Sequence, residues 1–524
     1  MHLTPSGRLW KVIRAPWKDL LAANRYSMSI HHHIFKSGLT VGTGQVVTQL
    51  CSFIRNVIVA RLISPQNYGI AATFAMTFYL VELMSSLGME NLLIQAPDGN
   101  EPRFQGTAHL LLALRGLINA SCIFFLAGPI ASLFSVPQAR WAFRCLALTP
   151  FIRGWNHLDT FRFQREMRFR PAVIMDVASN IVVTALALPL CWWLRDYSAM
   201  LWILVLQAIT TRVASNLLAE RPYRWAWDSR VARRILAFGW PLLINGFLMY
   251  IIFQGDRFVI GAAKRLFEHT SYTLADLGIY SVAFALTMAP ASMVTNIINS
   301  LFLPLLSKVQ SSLPEFEKRY AYCTQSISLV AALIAIPFIV AGGWFVILIY
   351  GAKYALAASF IGWLAAMWAL RTVRVAPTVA AMARGDTRNA MVSNITRTLA
   401  LPGVLMAAAT GGGIVWIAIS GFVGELLALA VCTQRLQREH GVRASICYKP
   451  FAVSATGMVV AGLLARAGIQ KAGWVAAFVA APALLMIVGL AMLVIFPDLR
   501  SMATDMVSRT RATLTKEPAN AEAQ

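Results

Sequence analysis

Eight arginines stand inside apolar stretches of the sequence: Arg55, Arg115, Arg144, Arg153, Arg212, Arg371, Arg374 and Arg397. The acids well inside such stretches are fewer: Glu82, Asp176, Asp256 and Glu425. A charge at the centre of a lipid-embedded helix costs about 2.5–3.5 kcal/mol on insertion scales, so these side chains should face protein, water or a ligand. The excess of guanidinium over carboxylate calls for an anion from outside the chain. A planar, permanently charged fork binds phosphate or carboxylate oxygens by paired hydrogen bonds. Arg371 and Arg374 are three residues apart and share a helix face. Arg144, Arg153 and Arg212 lie near the ends of their stretches, where a long side chain equally well reaches the membrane surface.

Neutral polar residues recur at helical spacing. Gln45, Thr48, Gln49, Ser52 and Asn56 share one sector of the first apolar run, with Arg55 at its edge. Ser292, Asn296, Asn299 and Ser300 form a second stripe, and Asn394, Arg397 and Thr398 a third. Amides and hydroxyls both donate and accept, as sugar recognition requires; the same groups also serve simply to hold helices together. The expected substrate contacts are therefore Arg55, Gln49, Arg115, Asn296, Asn299, Arg371, Arg374 and Arg397. Asp256 with Arg257, and Glu82 and Asp176, are the candidates for gating or coupling. Asp256 would sit at the end of the seventh run, as a charge latch or as a carboxylate that takes up a proton when desolvated. The plainer alternative is an interfacial charge that ends the helix.

The elements that must carry these residues are helices in a membrane. Of 524 residues, 58% are hydrophobic and 13% charged, too apolar for a soluble protein. Fourteen apolar runs lie between Gly38 and Phe496, so an all-α polytopic fold of about fourteen spans is expected. The net charge of +23 lies largely in the connections, which argues against a nucleic-acid partner. Alternate connections hold 29 basic residues on one side and 9 on the other, placing both termini in the cytoplasm. The expected organisation is a basic cytoplasmic tail (1–36), a first six-span lobe (37–220), an inter-lobe loop (221–234), a second lobe (235–434), a final helix pair (451–496) and a cytoplasmic tail (497–524).

Enzyme chemistry has no foothold. There is no Walker sequence, HExxH, GxSxG or carboxylate pair in a loop. The longest connection, Arg257–Leu277, is too short for a catalytic domain. No cofactor is expected. The seven cysteines form no CxxC and read as packing residues. His31, His32 and His33 read as a solvated tail rather than a metal site, and residues 1–36 lack the apolar core of a cleavable signal.

The chain repeats itself. FIRNVIVARLISPQNYGIAATFAMTF from Phe53 is echoed by FQGDRFVIGAA from Phe253 and, after an insertion, LADLGIYSVAFALTM. Gly69 and Gly278 hold the same place in the two copies, 209 residues apart. Parallel halves about an axis along the membrane normal are a transporter signature, with the binding site between them.

At these residues the sequence resembles the polysaccharide flippases of the multidrug/oligosaccharidyl-lipid/polysaccharide (MOP) exporter superfamily. The resemblance is carried, in order, by ARLISPQNYG (Ala60–Gly69), LGMENLLIQ (Leu87–Gln95), FQREMRFRP (Phe163–Pro171), FGWPLLI (Phe238–Ile244), DRFVIG (Asp256–Gly261), LGIYSVAFAL (Leu277–Leu286) and LFLPLLSKVQ (Leu301–Gln310). Beyond Ala321 it is one of hydropathy only. It implies two six-helix lobes rocking about a central cavity, plus a helix pair. It also implies an undecaprenyl-pyrophosphate-linked oligosaccharide as cargo, surrounding membrane lipids, and a polysaccharide polymerase and glycosyltransferases as pathway partners. The alternatives are a cation-coupled drug exporter, against which the arginine excess argues, a membrane glycosyltransferase or polymerase, against which the short loops argue, and a scaffolding subunit, in which the buried charges would be wasted.

Overall fold

The computed structural model describes residues 38, 40–468 and 473–501. The histidine run and most of both tails lie outside the described residues. Helices α1 (40–62), α2 (Pro65–Met84), α3 (Met89–Gln95), α4 (Pro102–Leu133), α5 (Arg140–Leu146), α6 (Leu148–Arg153), α7 (Asp159–Arg165), α8 (Arg170–Leu194) and α9 (Ser198–Leu217) build the first lobe. The second lobe has α10 (Ser229–Leu266), α11 (Leu274–Ser307), α12 (Leu313–Tyr350), α13 (Ile361–Ala383), α14 (Arg388–Thr398), α15 (Ala400–Ala409) and α16 (Ile414–His440). Helices α17 (Ser445–Arg466) and α18 (Trp474–Ile495) follow as a pair and pack on α12, with Val488 of α18 against Gly457 of α17. No strand occurs among the described residues.

Nine of the described helices are individually long and apolar enough to cross a membrane, and two bent pairs raise this to eleven. The other three expected spans correspond to α1, to α5 with α6, and to α14 with α15. Each break has a local cause. Pro150 and Pro402 supply no N–H to the carbonyls of Leu146 and Thr398, four residues back, where the helices divide. Gly88, at φ 60°, turns the chain between α2 and α3.

Several helices outrun their apolar stretches. α12 begins at Leu313 and α16 continues to His440. α10 continues to Leu266, so Asp256 lies ten residues before its end rather than at it, and the expected Arg257–Leu277 connection shrinks to residues 267–273. Hydropathy marks where lipid ends; backbone hydrogen bonding carries on into water when Lys264 and Arg265 find solvent.

The repeat is visible as packing. Ser64 caps α2 by accepting from the Asn67 N–H at 3.2 Å, and Thr273 caps α11 by accepting from the Asp276 N–H at 3.2 Å. These pairs are 209 residues apart, in register with Gly69 and Gly278. The two glycines meet where α2 crosses α11: a methyl at Gly69 would fall on the Leu274 carbonyl, and one at Gly278 on the Pro65 carbonyl. Only glycine admits backbone this close.

At the same end the lobes exchange cations. Arg61, at the end of α1, donates to the Ile349 carbonyl at 2.7 Å and to that of Leu348, at the end of α12. Lys353 returns the contact, donating to the carbonyls of Arg61 at 2.8 Å and Ile63 at 2.5 Å. Each cation covers orphan carbonyls at the other lobe's helix end. This is the clamped end of the bundle.

Connections at the opposite end are rich in arginine. There Asp159 of α7 accepts from Arg162 Nε at 2.5 Å and from the backbone N–H groups of Glu220 and Arg221 at 2.8 and 3.1 Å. Burial alone would raise its pKa, but these donors outweigh it and hold the carboxyl down at about 2. The unfolded value is about 3.9, so this stabilisation is complete above that pH and is lost as pH falls through the folded value, about 1–2 kcal/mol after screening. Thermal unfolding of the purified protein should lose this increment between about pH 4 and pH 2. Asp159→Asn should flatten that part of the profile; an unchanged profile would refute the assignment.

Candidate functional site

In the second lobe, three of the expected arginines converge on a carboxylate from α16. Glu425 is fully buried. Arg374 Nε lies 3.0 Å from its Oε2, Arg397 Nε is in contact with Oε1, and Arg371 Nη1 is 3.7 Å from Oε1. Arg371 and Arg374 come from one face of α13, and Arg397 from the last turn of α14. Arg374 also donates to Ser393 Oγ at 2.8 Å and to Asn394 Oδ1 of the third polar stripe at 3.1 Å, whereas Thr398 bonds back to the Ile395 carbonyl. Arg397 donates to the Ile252 carbonyl of α10. Three guanidiniums around one carboxylate leave two positive charges unanswered.

The three arginines are not equivalent. Arg374 and Arg397 are buried and occupied. Arg371 stays 18% exposed; its guanidinium makes no hydrogen bond among the described residues and stacks over Phe253 at 4.3 Å and Trp368 at 5.1 Å. The aromatic faces hold the cation in place without consuming its donors. It is the most exposed member of the cluster.

In the first lobe, Arg115 of α4 pairs with Glu82 of α2 at 2.8 Å and donates to Ser85 Oγ at 3.0 Å. Asn119 donates to the same hydroxyl at 2.8 Å, and Arg153 approaches Glu82 at 4.0 Å. Arg55 reaches Asn180 Oδ1 of α8 at 3.3 Å, Gln207 Oε1 of α9 at 3.4 Å and Ser52 Oγ at 3.3 Å. All its partners are neutral and the bonds are long, so its charge is unmatched. Gln49 lies two turns earlier and is half-buried.

Asp256 accepts from the Tyr280 hydroxyl of α11 at 2.7 Å. The Arg257 guanidinium turns away, bonding the Phe253 carbonyl at 2.5 Å and covering the Phe284 ring at 4.3 Å. Among the described residues Asp256 forms no ion pair with Arg55 or Arg257. Arg55 stands seven residues before the end of α1 and Asp256 ten before the end of α10, about a turn out of register. Asn296 and Asn299 are exposed on α11 and have no hydrogen-bond partner among the described residues, whereas Ser292 and Ser300 bond back to their own helix. Asp176 is exposed in the second turn of α8, without an ion pair among the described residues.

Sequence reading recognised Glu425 as an intramembrane acid but not as the hub of the cluster. A lone acid in a long apolar run was the available signal. Tyr280, Asn180 and Gln207 gave none, because a partner 24 to 152 residues away is fixed only by the fold.

The sequence pattern of a family described as "Polysaccharide biosynthesis protein" matches residues 58–359. Over 317 residues the chain is 20% identical to the succinoglycan biosynthesis transport protein ExoT of Rhizobium meliloti, covering 60% of this chain and 62% of that protein. It is 19% identical over 332 residues to an uncharacterized membrane protein in the cps region of Klebsiella pneumoniae, covering 62% and 66%. The chain thus spans just under two thirds of the length of the curated relatives it matches. In fold it is similar to the lipid II flippase MurJ in an inward closed conformation, with TM-score 0.66 and 12% identity over 87% of this chain and 98% of that one. It is also similar to an inward-facing multidrug resistance MATE family transporter of the MOP superfamily, with TM-score 0.58 and 14% identity over 75% and 95%. The fold is that of the MOP transporters, and with more than half its length matched the chain belongs to the polysaccharide biosynthesis protein family.

Proposed function

We propose that the protein is a flippase that carries undecaprenyl-pyrophosphate-linked oligosaccharide units across the bacterial inner membrane by alternating access, without covalent chemistry. The carrying observation is Arg371. It is a partly exposed lobe-interior cation whose guanidinium makes no hydrogen bond among the described residues, beside a carboxylate already shared by two other arginines. A diphosphate supplies the missing negative charge and accepts bidentate hydrogen bonds. Arg55 offers a second unmatched cation from the first lobe, and Asn296 and Asn299 offer amides to sugar hydroxyls. The polyprenyl tail stays in lipid, since burying it in a polar cavity gains nothing. Glycosyltransferases would supply the substrate and a polymerase would consume it. A MATE-like exporter of cationic drugs shares the fold, but the surplus of interior guanidinium repels such cargo.

In this reading the arginine-rich end and both termini are cytoplasmic and the clamped end faces outward. A reporter inserted in residues 267–273 should read as external, and one after Arg443 as cytoplasmic; the reverse pattern would invert the orientation.

The functional test is export in cells whose own copy is deleted. Arg371→Ala and Arg55→Ala should each lower surface polysaccharide by roughly tenfold or more at normal protein abundance, the size of a lost charge-assisted contact. Arg371→Lys should keep part of the activity, since the charge remains and the fork is lost. Asp256→Asn should slow export if the bond to Tyr280 takes part in gating. Normal export by both arginine-to-alanine variants would sink the reading.

A further inference from the structure

A groove on the first lobe stands apart from the arginine cluster around Glu425. It runs between α4, α5 and α6 with about 480 Å³ of free volume, within the ~300–1,000 Å³ typical of ligand sites. Ala120, Phe124, Phe125, Ala147, Leu148 and Phe151 line it, together with Arg144. Ile118, Phe125 and Leu126 are apolar and exposed, so this face of α4 meets lipid.

The groove is charged at one level and apolar below it. Phe134, which follows the last turn of α4, packs against Gly261 beside Leu277, so α4 finishes at the clamped end. Trp141 of α5 is exposed near that end and meets the ring of Tyr197, just past α8, where Trp192 and Trp193 are exposed as well. Such rings gather at the headgroup level of a bilayer. Phe124 lies nine residues before Leu133, about 14 Å down the helix. From Arg140, at the start of α5, the wall descends past Arg144 to Ala147, Leu148 and Phe151.

The two arginines face outward. Both are exposed, and neither guanidinium has a hydrogen bond or an ion pair among the described residues. Arg140 lies across Gly128, where an added methyl would come within 3.2 Å of Nε. Arg144 is held over the Phe124 ring at 5.7 Å. Four residues apart on α5, they share a face. A guanidinium against lipid needs a counter-charge. No carboxylate of the chain supplies it among the described residues, so it must come from the bilayer. A phosphodiester accepts from both forks. A zwitterionic headgroup would bring an ammonium into a place that already holds two cations; a headgroup of net negative charge does not.

We propose that this groove holds one anionic phospholipid from the leaflet at the clamped end. Its phosphate lies between Arg140 and Arg144, and one acyl chain lies in the cleft of Phe124, Phe125 and Phe151. The polarity of the groove runs in the same direction as that of the lipid, from headgroup level to bilayer interior. All its walls belong to one lobe, so relative motion of the lobes leaves it intact. That suits a resident lipid rather than a cargo in transit.

The test is photo-crosslinking of the purified full-length protein in phosphatidylcholine nanodiscs doped with phosphatidylglycerol that carries a diazirine on one acyl chain. Cross-links should map to residues 120–125 and 147–151. Unlabelled phosphatidylglycerol should displace them, whereas phosphatidylethanolamine and undecaprenyl diphosphate should not. Arg140→Gln combined with Arg144→Gln should lower the labelling roughly tenfold, and Arg144→Lys should keep most of it. Ser121→Trp fills the groove and leaves both cations in place; it should also abolish labelling, so the result does not hang on the folding of the double variant. Labelling spread evenly over the exposed helix faces, or unchanged in the double variant, overturns the site. Equal competition by phosphatidylethanolamine overturns the selection by charge. Displacement by undecaprenyl diphosphate overturns the occupant and makes the groove a cargo path.

Discussion

Glu425→Gln will be among the most destabilising single substitutions in the chain. It leaves Arg371, Arg374 and Arg397 facing one another in the lobe interior with no anion between them. Breaking a buried ion pair from one side costs about 3–5 kcal/mol, because the remaining charge is stranded rather than resolvated. Here three charges are stranded. The expected result is a large fall in detergent-extractable folded protein and a thermal midpoint lowered by several degrees. Glu425→Asp retains the charge and should lose less. In Glu425→Gln combined with Arg374→Gln, part of the loss should return, since one stranded cation is gone and Ser393 and Asn394 can bond the new amide. A Glu425→Gln protein with the wild-type midpoint would show that the cluster is not the keystone of the lobe.

The second large effect is expected at the crossing of α2 and α11. Gly69→Ala and Gly278→Ala each place a methyl on a backbone carbonyl of the opposing lobe, with the facing backbone nitrogen only 3.2 and 3.0 Å away. Neither obstacle is a side chain that can swing aside, so the lobes must part at the clamped end. Because the contact forms between lobes and not within one, the fold of each lobe should survive. The outcome is a shift in population toward the state in which this end is open. A membrane-impermeant thiol reagent should label a cysteine placed at Tyr68 or Ser281 far faster in either variant than in an otherwise wild-type chain, and export should fall at normal abundance. Unchanged labelling together with unchanged export would mean that the helices slide to absorb the methyl.

Much of this architecture could be read from the residues themselves. The run around Gly38–Ala60 could only be a helix, and an arginine in it could only face away from lipid. The 209-residue spacing of Gly69 and Gly278 located the repeat, and the structure supplies its meaning: equivalent positions that touch. The pair Arg371 and Arg374 was legible because three-residue spacing fixes a shared face. Asp256 closes the apolar run but not the helix, because hydropathy falls at the water boundary while α10 continues for ten more residues. Its engagement by Tyr280 was beyond reach for a different reason. A hydroxyl on one apolar helix looks like any other until the packing of α10 on α11 chooses it.

The exchange between Arg61 and Lys353 bears on how readily the clamped end lets go. Both cations hold carbonyl oxygens at helix ends, and no carboxylate takes part. When the lobes separate there, water can enter and hydrate the same oxygens and both cations, so nothing is left dry and unpaired. A hydrogen bond from a charged donor is worth about 1.5–3 kcal/mol net, and the exposure of Arg61 and Lys353 screens these toward the low end, below the penalty for baring a buried ion pair. Across four contacts the hold amounts to about 6 kcal/mol, comparable to the differential affinity of one well-bound ligand. Release at this end is therefore a matter of wetting, and the rate at which water reaches these four carbonyls should set its tempo.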